Sequence, residues 1–147
     1  MTEKSSKKIH RISPEAANKD KDTIRVLYVE DAAVIRDTIA RLLALSGFEV
    51  AYARNGEEGV KMTLEWMPDV VLMDLRMPVM DGFRAINQIK ANPKTKDIPV
   101  FVVSAWSSKK ERTQARLEGA DEFFVKPPDL YQLIDAIQKA VAARKGK

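Results

Sequence analysis

Four short strand-like runs in this 147-residue chain each end in residues that can do chemistry. Ile24 to Val29 leads into Glu30 and Asp31, Val70 to Met73 into Asp74, Ile98 to Val103 into Ser104, and Glu122 to Val125 into Lys126. Carboxylates brought to one place repel one another and resist joint ionisation. A hard divalent cation relieves that repulsion, and an all-oxygen donor set favours magnesium over zinc. A lysine beside them has two options: it can pair with a carboxylate, or hold an added anion that the metal also touches. A nucleophile, magnesium and fixed donors for the remaining oxygens are the parts that phosphoryl transfer requires. With a carboxylate as nucleophile the product is an aspartyl phosphate. Asp74 is the best candidate for that role, because it ends the most apolar of the runs.

Each residue also has a plainer explanation. Asp31 could cap a helix that starts near Ala32. Ser104 could cap or turn the chain ahead of a helix at Lys109. Lys126, before Pro127, could be an ordinary surface lysine. Asp74 could be a strand-end carboxylate with no role. Their joint occurrence at four strand ends argues against four separate accidents.

The elements that must position these residues follow from periodicity. Ile24–Val29 is β-branched and apolar, and Ile35, Ile39, Leu42 and Leu43 then recur at helical spacing up to Gly47. Strand and helix patterns alternate from there: strands at 48–53, 70–73, 98–103 and 122–125, and helices from Gly56 to Trp66, Phe83 to about Lys90, 109–117 and Leu130 to about Ala143. Five β-α units with short connections predict an α/β fold, a doubly wound five-stranded parallel sheet with helices on both faces. Unbroken apolar strands fit a sheet covered on both sides. Functional residues of such sheets collect just past the carboxyl ends of the strands, where Glu30, Asp31, Asp74, Ser104 and Lys126 fall.

Composition narrows the choice. There is no cysteine and one histidine, which removes thiol nucleophiles, disulfide scaffolds, histidine triads and histidine-rich zinc sites. No apolar run reaches the length of a membrane span, and the basic N-terminus lacks the apolar segment of a secretory signal. A soluble, cytoplasmic protein is expected. The net charge of +4 sits at the ends: Lys4, Lys7, Lys8, Arg11, Lys19 and Lys21 outnumber the acids of residues 1–22, and Arg144, Lys145 and Lys147 close the chain. The body between is nearly neutral, unlike a nucleic-acid-binding face. The expected organisation is a disordered basic leader (1–22), one domain (23–143) and a basic tail (144–147). The leader reads as a solvated segment, or else as an arm for an acidic partner or membrane surface.

The stretches Val-Leu-Tyr-Val-Glu30-Asp31, Asp74-Leu-Arg-Met-Pro78-Val-Met-Asp-Gly82, Pro99-Val-Phe-Val-Val-Ser104-Ala105 and Gly119-Ala-Asp-Glu-Phe-Phe-Val-Lys126-Pro127 resemble the receiver domain of bacterial two-component response regulators. The resemblance spans about residues 23–143 and implies the flavodoxin-like strand order 2-1-3-4-5. It implies that Asp74 accepts a phosphoryl group from a phosphohistidine on a sensor histidine kinase or a histidine phosphotransfer protein. Asp31 and Asp74 would bind Mg²⁺, with Glu30 helping through water and the backbone carbonyl of Arg76 completing the protein ligands. Lys126 and Ser104 would hold phosphoryl oxygens with the Ala105 N–H nearby, Ser104 and Phe123 would move as a switch, and the Lys126–Pro127 bond would be cis. Glu30 stands where aspartate is commoner, Ser104 where threonine can stand, and Phe123 lacks a tyrosine hydroxyl. In that family the side chains at the positions of Arg76 and Trp106 border the path of attacking water, which implies that these two could set the phosphate lifetime, or else point outward.

The output face would be the fourth helix, fifth strand and fifth helix, where Lys109, Lys110, Arg112 and Arg116 form either a solvated face or a guide for an acidic partner. No helix-turn-helix unit is evident, so direct DNA binding is not expected. A stand-alone receiver that switches protein partners is the leading reading; a phosphorelay shuttle or phosphate sink is the alternative. A phosphohydrolase of the haloacid dehalogenase type would want an aspartate at position 76, where Arg76 stands.

Overall fold

The computed structural model describes residues 10–12, 23–105 and 108–146. In chain order the elements are β1 (His10–Ile12), β2 (Arg25–Val29), α1 (Ala33–Leu45), β3 (Glu49–Ala53), α2 (Gly56–Trp66), β4 (Val70–Met73), α3 (Gly82–Ala91), β5 (Val100–Ser104), α4 (Lys109–Glu118), β6 (Glu122–Val125) and α5 (Leu130–Lys145). Strands β2 to β6 are parallel and lie in the order β3-β2-β4-β5-β6. Counting the parallel strands alone this is 2-1-3-4-5, the expected doubly wound sheet.

Alternation along each strand sorts the core into two layers. Leu27, Val29, Val71, Met73, Val100 and Val102 pack with Met62 and Trp66 of α2 and Ile86 and Ile89 of α3. Val26, Tyr28, Val50, Val70, Leu72, Phe101 and Val103 pack with Ile39 and Leu43 of α1 and Leu133, Ile137 and Val141 of α5. Every side chain of β4 is buried, as a strand covered on both faces requires.

Both ends carry some regular structure outside residues 23–143. Within the leader taken as disordered, His10–Ile12 form β1, which pairs antiparallel with β3 in the register His10↔Tyr52 and Ile12↔Val50. An edge strand such as β3 carries unpaired backbone groups that a passing segment can satisfy; three residues are too few to show a period. At the other end α5 continues through Arg144 and Lys145. Cations in a last helical turn complement the macrodipole, so the basic end continues the helix instead of interrupting it. The other residues of 1–22 lie outside the described residues.

The helix starts settle two of the plainer explanations. Asp31 does not cap α1: the residue at the cap position is Ala32, with no side-chain cap. The cap of α4 is Ser108, whose Oγ accepts the Glu111 N–H at 3.1 Å, and not Ser104. Two glycines hold the segment after β4 in place. A Cβ at Gly82 would stand 2.1 Å from the Asp74 carbonyl oxygen, and one at Gly56 2.3 Å from that of Met80. Only glycine allows such approaches.

Candidate functional site

All five parallel strands deliver their carboxyl ends to one edge. There β2 and β4 are neighbours with Val29 opposite Met73, so the residues that follow them are brought together. The backbone carries this arrangement on past the strands: the Glu30 N–H donates to the Ala53 carbonyl and the Asp74 N–H to the Val29 carbonyl, both at 3.0 Å. Carboxylate oxygens of Glu30, Asp31 and Asp74 lie within 4.8 Å of one another. Glu30 and Asp74 are buried, 1% and 6% exposed, whereas Asp31 is exposed. The cluster thus has a dry floor and an open mouth.

Lys126 reaches in from the end of β6. Its Nζ pairs with Glu30 Oε1 and lies 3.4 Å from Asp74 Oδ2, with the side chain 12% exposed. Of its two options it takes carboxylates here. Each buried acid has further donors: Asp74 Oδ1 accepts the Leu75 N–H at 2.8 Å, Glu30 Oε1 the Tyr28 hydroxyl at 3.3 Å, and Glu30 Oε2 the Ala32 N–H at 3.1 Å. These donors do not restore Asp74 to ordinary acidity. Burial first, and the Glu30 charge second, raise its pKa from 3.8 to about 6 against the opposing pull of Lys126. Burial and the same Glu30 charge push the Tyr28 hydroxyl well above its usual range, so it stays a proton donor.

Three carboxylates against one ammonium leave negative charge that a divalent cation would balance, and every side-chain donor of the cluster is a hard oxygen. Magnesium chemistry fits this donor set; zinc, which favours nitrogen and sulfur ligands, fits it poorly.

The other residues fall around this centre. Ser104 ends β5, the next strand along; it is fully buried, and its carbonyl accepts the Lys126 N–H at 2.9 Å. Ala105 follows and is exposed. Phe123 is half-buried against the core, with the Arg112 guanidinium 5.5 Å from its ring centroid. The Lys126–Pro127 peptide is cis. The Arg76 side chain is largely exposed and forms an ion pair with Glu111 in the first turn of α4, so it extends towards that helix. Trp106 lies outside the described residues.

Two participants were not singled out from the sequence. Tyr28 stands two residues before Glu30, so both point to the same side of β2, and that spacing was the available signal. Arg36 reaches the loop after β2 from α1; its spacing from Ile39, Ala40 and Leu43 puts it on the buried face, and that was the available signal.

The profile described as response regulator receiver domain matches residues 26–138. The transcriptional regulatory protein PrrA of Mycobacterium bovis is 39% identical over 122 residues, 83% of this chain, and the chain spans 51% of that protein's length. Protein PilH of Pseudomonas aeruginosa is 32% identical over 118 residues, covering 80% of this chain and 98% of that protein. Among solved structures, the receiver domain of sensor histidine kinase PA1611 from Pseudomonas aeruginosa superimposes with a TM-score of 0.76 at 26% identity, covering 82% of this chain and 98% of that one. That structure holds a magnesium ion in its active site cleft. Chemotaxis protein CheY4 of Vibrio cholerae gives a TM-score of 0.75 at 27% identity, covering 80% and 98% of the two chains.

Proposed function

Because the chain belongs to the response regulator receiver domain family, we propose that it carries two-component signals by accepting a phosphoryl group on Asp74 from a phosphohistidine. The observation that supports this reading most is the convergence of Glu30, Asp31 and Asp74 on one point with Lys126 between the two buried acids. The donor is a sensor histidine kinase or a histidine phosphotransfer protein, and the work is cytoplasmic. Among the described residues, no helix is long and apolar enough to cross a membrane.

Asp31, Asp74 and the Arg76 carbonyl would hold Mg²⁺, with Glu30 acting through water. Bound there, the ion supplies positive charge against the oxygens of the transferring group. An Asp74 carboxylate oxygen attacks phosphorus, an O–P bond forms, and the N–P bond to the donor histidine breaks; the imidazole leaves with the electron pair. Lys126 then exchanges a carboxylate for a phosphoryl oxygen, Ser104 donates its hydroxyl to another, and the Ala105 N–H lies beside it. Movement of Ser104 leaves space into which Phe123 turns, and the change is read at the face made by α4, β6 and α5. Charge-assisted bonds to a newly arrived dianion can drive such a two-state change. Arg76 and Trp106 are the candidates for setting the phosphate lifetime, although the Arg76 side chain is turned towards Glu111 of α4; unchanged decay in Arg76→Ala and Trp106→Ala would defeat that part.

The whole reading is tested by incubating the protein with Mg²⁺ and acetyl phosphate and weighing it intact. One added phosphoryl group, lost in Asp74→Asn, is the expected result. No gain in a protein that binds Mg²⁺ and is also offered a phosphohistidine donor would overturn it.

A further inference from the structure

Among the described residues Arg36 is the one arginine or lysine that is buried, 8% exposed, in a helix whose buried stripe it shares with Ile39, Ala40 and Leu43. An apolar side chain would fill that position without desolvating a charge, and a buried guanidinium is costly unless its donors are used. Its contacts show how it is used. The guanidinium lies over the Tyr52 ring of β3, 4.4 Å from the centroid. Nη1 donates to the backbone carbonyl of Glu30 at 3.3 Å, while Nε makes no hydrogen bond and has only the Asp37 carboxylate 3.6 Å away.

The carbonyl that Arg36 holds belongs to the peptide joining Glu30 to Asp31, which sends one carboxylate to the floor of the acidic cluster and the other to its mouth. A helix start is ordinarily fixed by a Ser, Thr, Asp or Asn cap. Here the cap position is Ala32, which has no such side chain. Two contacts fix the segment just before the helix instead: Glu30 Oε2 accepts the Ala32 N–H at 3.1 Å, and Arg36 reaches back from the next turn to the Glu30 carbonyl. We propose that Arg36, oriented by the face of Tyr52, is a positioning residue that sets the Glu30–Asp31 loop in the geometry the acidic cluster needs for a divalent cation. The metal half of this inference rests on the function proposed above; the loop-ordering half does not.

Three variants of the full chain test it: Arg36→Lys, Arg36→Met and Tyr52→Leu. The readouts are Mg²⁺ affinity by titration calorimetry, hydrogen exchange at the Ala32 amide, and melting temperature. Arg36→Lys keeps the charge but loses the planar fork, and is expected to weaken Mg²⁺ binding about three- to tenfold. Arg36→Met removes a positive charge, which by itself would tighten cation binding, yet is expected to weaken it as well. Tyr52→Leu, in which Arg36 is intact, should change affinity in the same direction and serves if Arg36→Met fails to fold. In each variant the Ala32 amide should exchange at least several-fold faster relative to core amides such as that of Leu72. A lowered melting temperature with unchanged affinity and unchanged Ala32 exchange would overturn the proposal, as would tighter Mg²⁺ binding in Arg36→Met. A wild-type protein that binds no Mg²⁺ would defeat the metal site itself, and Ala32 exchange would still decide whether Arg36 orders the loop.

Discussion

At Asp74 two physical effects act in the same direction. Burial disfavours its charge, the Glu30 charge does too, and Lys126 opposes them only in part, so the carboxyl titrates at about 6 instead of 3.8. A raised carboxyl pKa means that the folded chain holds the proton more tightly than the unfolded chain. The contribution to stability is therefore complete below the unfolded value and is lost as pH rises through about 6. Asp74→Asn, measured without divalent cation by denaturant unfolding, should be more stable than wild type at pH 7 by roughly 1–3 kcal/mol. The gain should shrink as pH falls towards 4; a gain that is the same at both ends would contradict this origin. The acids, the lysine and the buried serine were legible because each directly follows an apolar run. Tyr28 was legible in principle from its spacing. Arg36 was not, because its role depends on a ring from β3 and a carbonyl from the end of β2, brought together only by packing.

Between β4 and α3 the chain turns sharply, and this segment shows what elements demand of their connections. Val79 has φ 71° and is 73% exposed, and the Met80 N–H closes on the Pro78 carbonyl at 2.7 Å. A three-residue turn with positive φ is strained, more so on a β-branched residue. It is held from both sides, by the Gly56 N–H on the Met80 carbonyl at 3.0 Å and the Gly82 N–H on the Leu75 carbonyl at 2.9 Å. Val79→Gly should release the strain and raise stability by about 0.5–1 kcal/mol after the larger chain entropy that glycine loses on folding. Thermal unfolding reads this as a rise of about 1–4 °C for a domain of this size; a fall would mean that the turn is not strained. Strand positions were read closely, with 70–73 and 122–125 matching the observed elements. Helix limits were read as closely, 109–117 against Lys109–Glu118, but the caps were not, since a cap is chosen by local hydrogen bonding: Ser108 takes the role considered for Ser104, and α1 has no side-chain cap at all.

For the molecule as a whole, the sheet is asymmetric at its edges. Among the described residues β6 is the open edge on one side, while on the other β3 is covered by β1. Removing residues 1–22 should speed amide exchange at Val50–Tyr52, because β1 pairs with β3 over that stretch. Unchanged exchange after truncation would show that β1 adds nothing to that edge in solution.

The alternation of two periods was enough to determine the fold class, the number of parallel strands and, by rule, the edge at which functional residues gather. It also determined which residue types stand there, because side-chain identity and position after a strand are both written linearly. The sequence could not decide how charge is shared at that edge. Whether Lys126 faces solvent, one acid or two is set by strand order and burial, which bring residues 30, 74 and 126 together from three separate strands. Nor could it place β1 or identify the partners of Arg36, which belong to other elements. Such contacts are decided by backbone groups and buried carbonyls that must find partners once the sheet has formed, and only the tertiary structure supplies those.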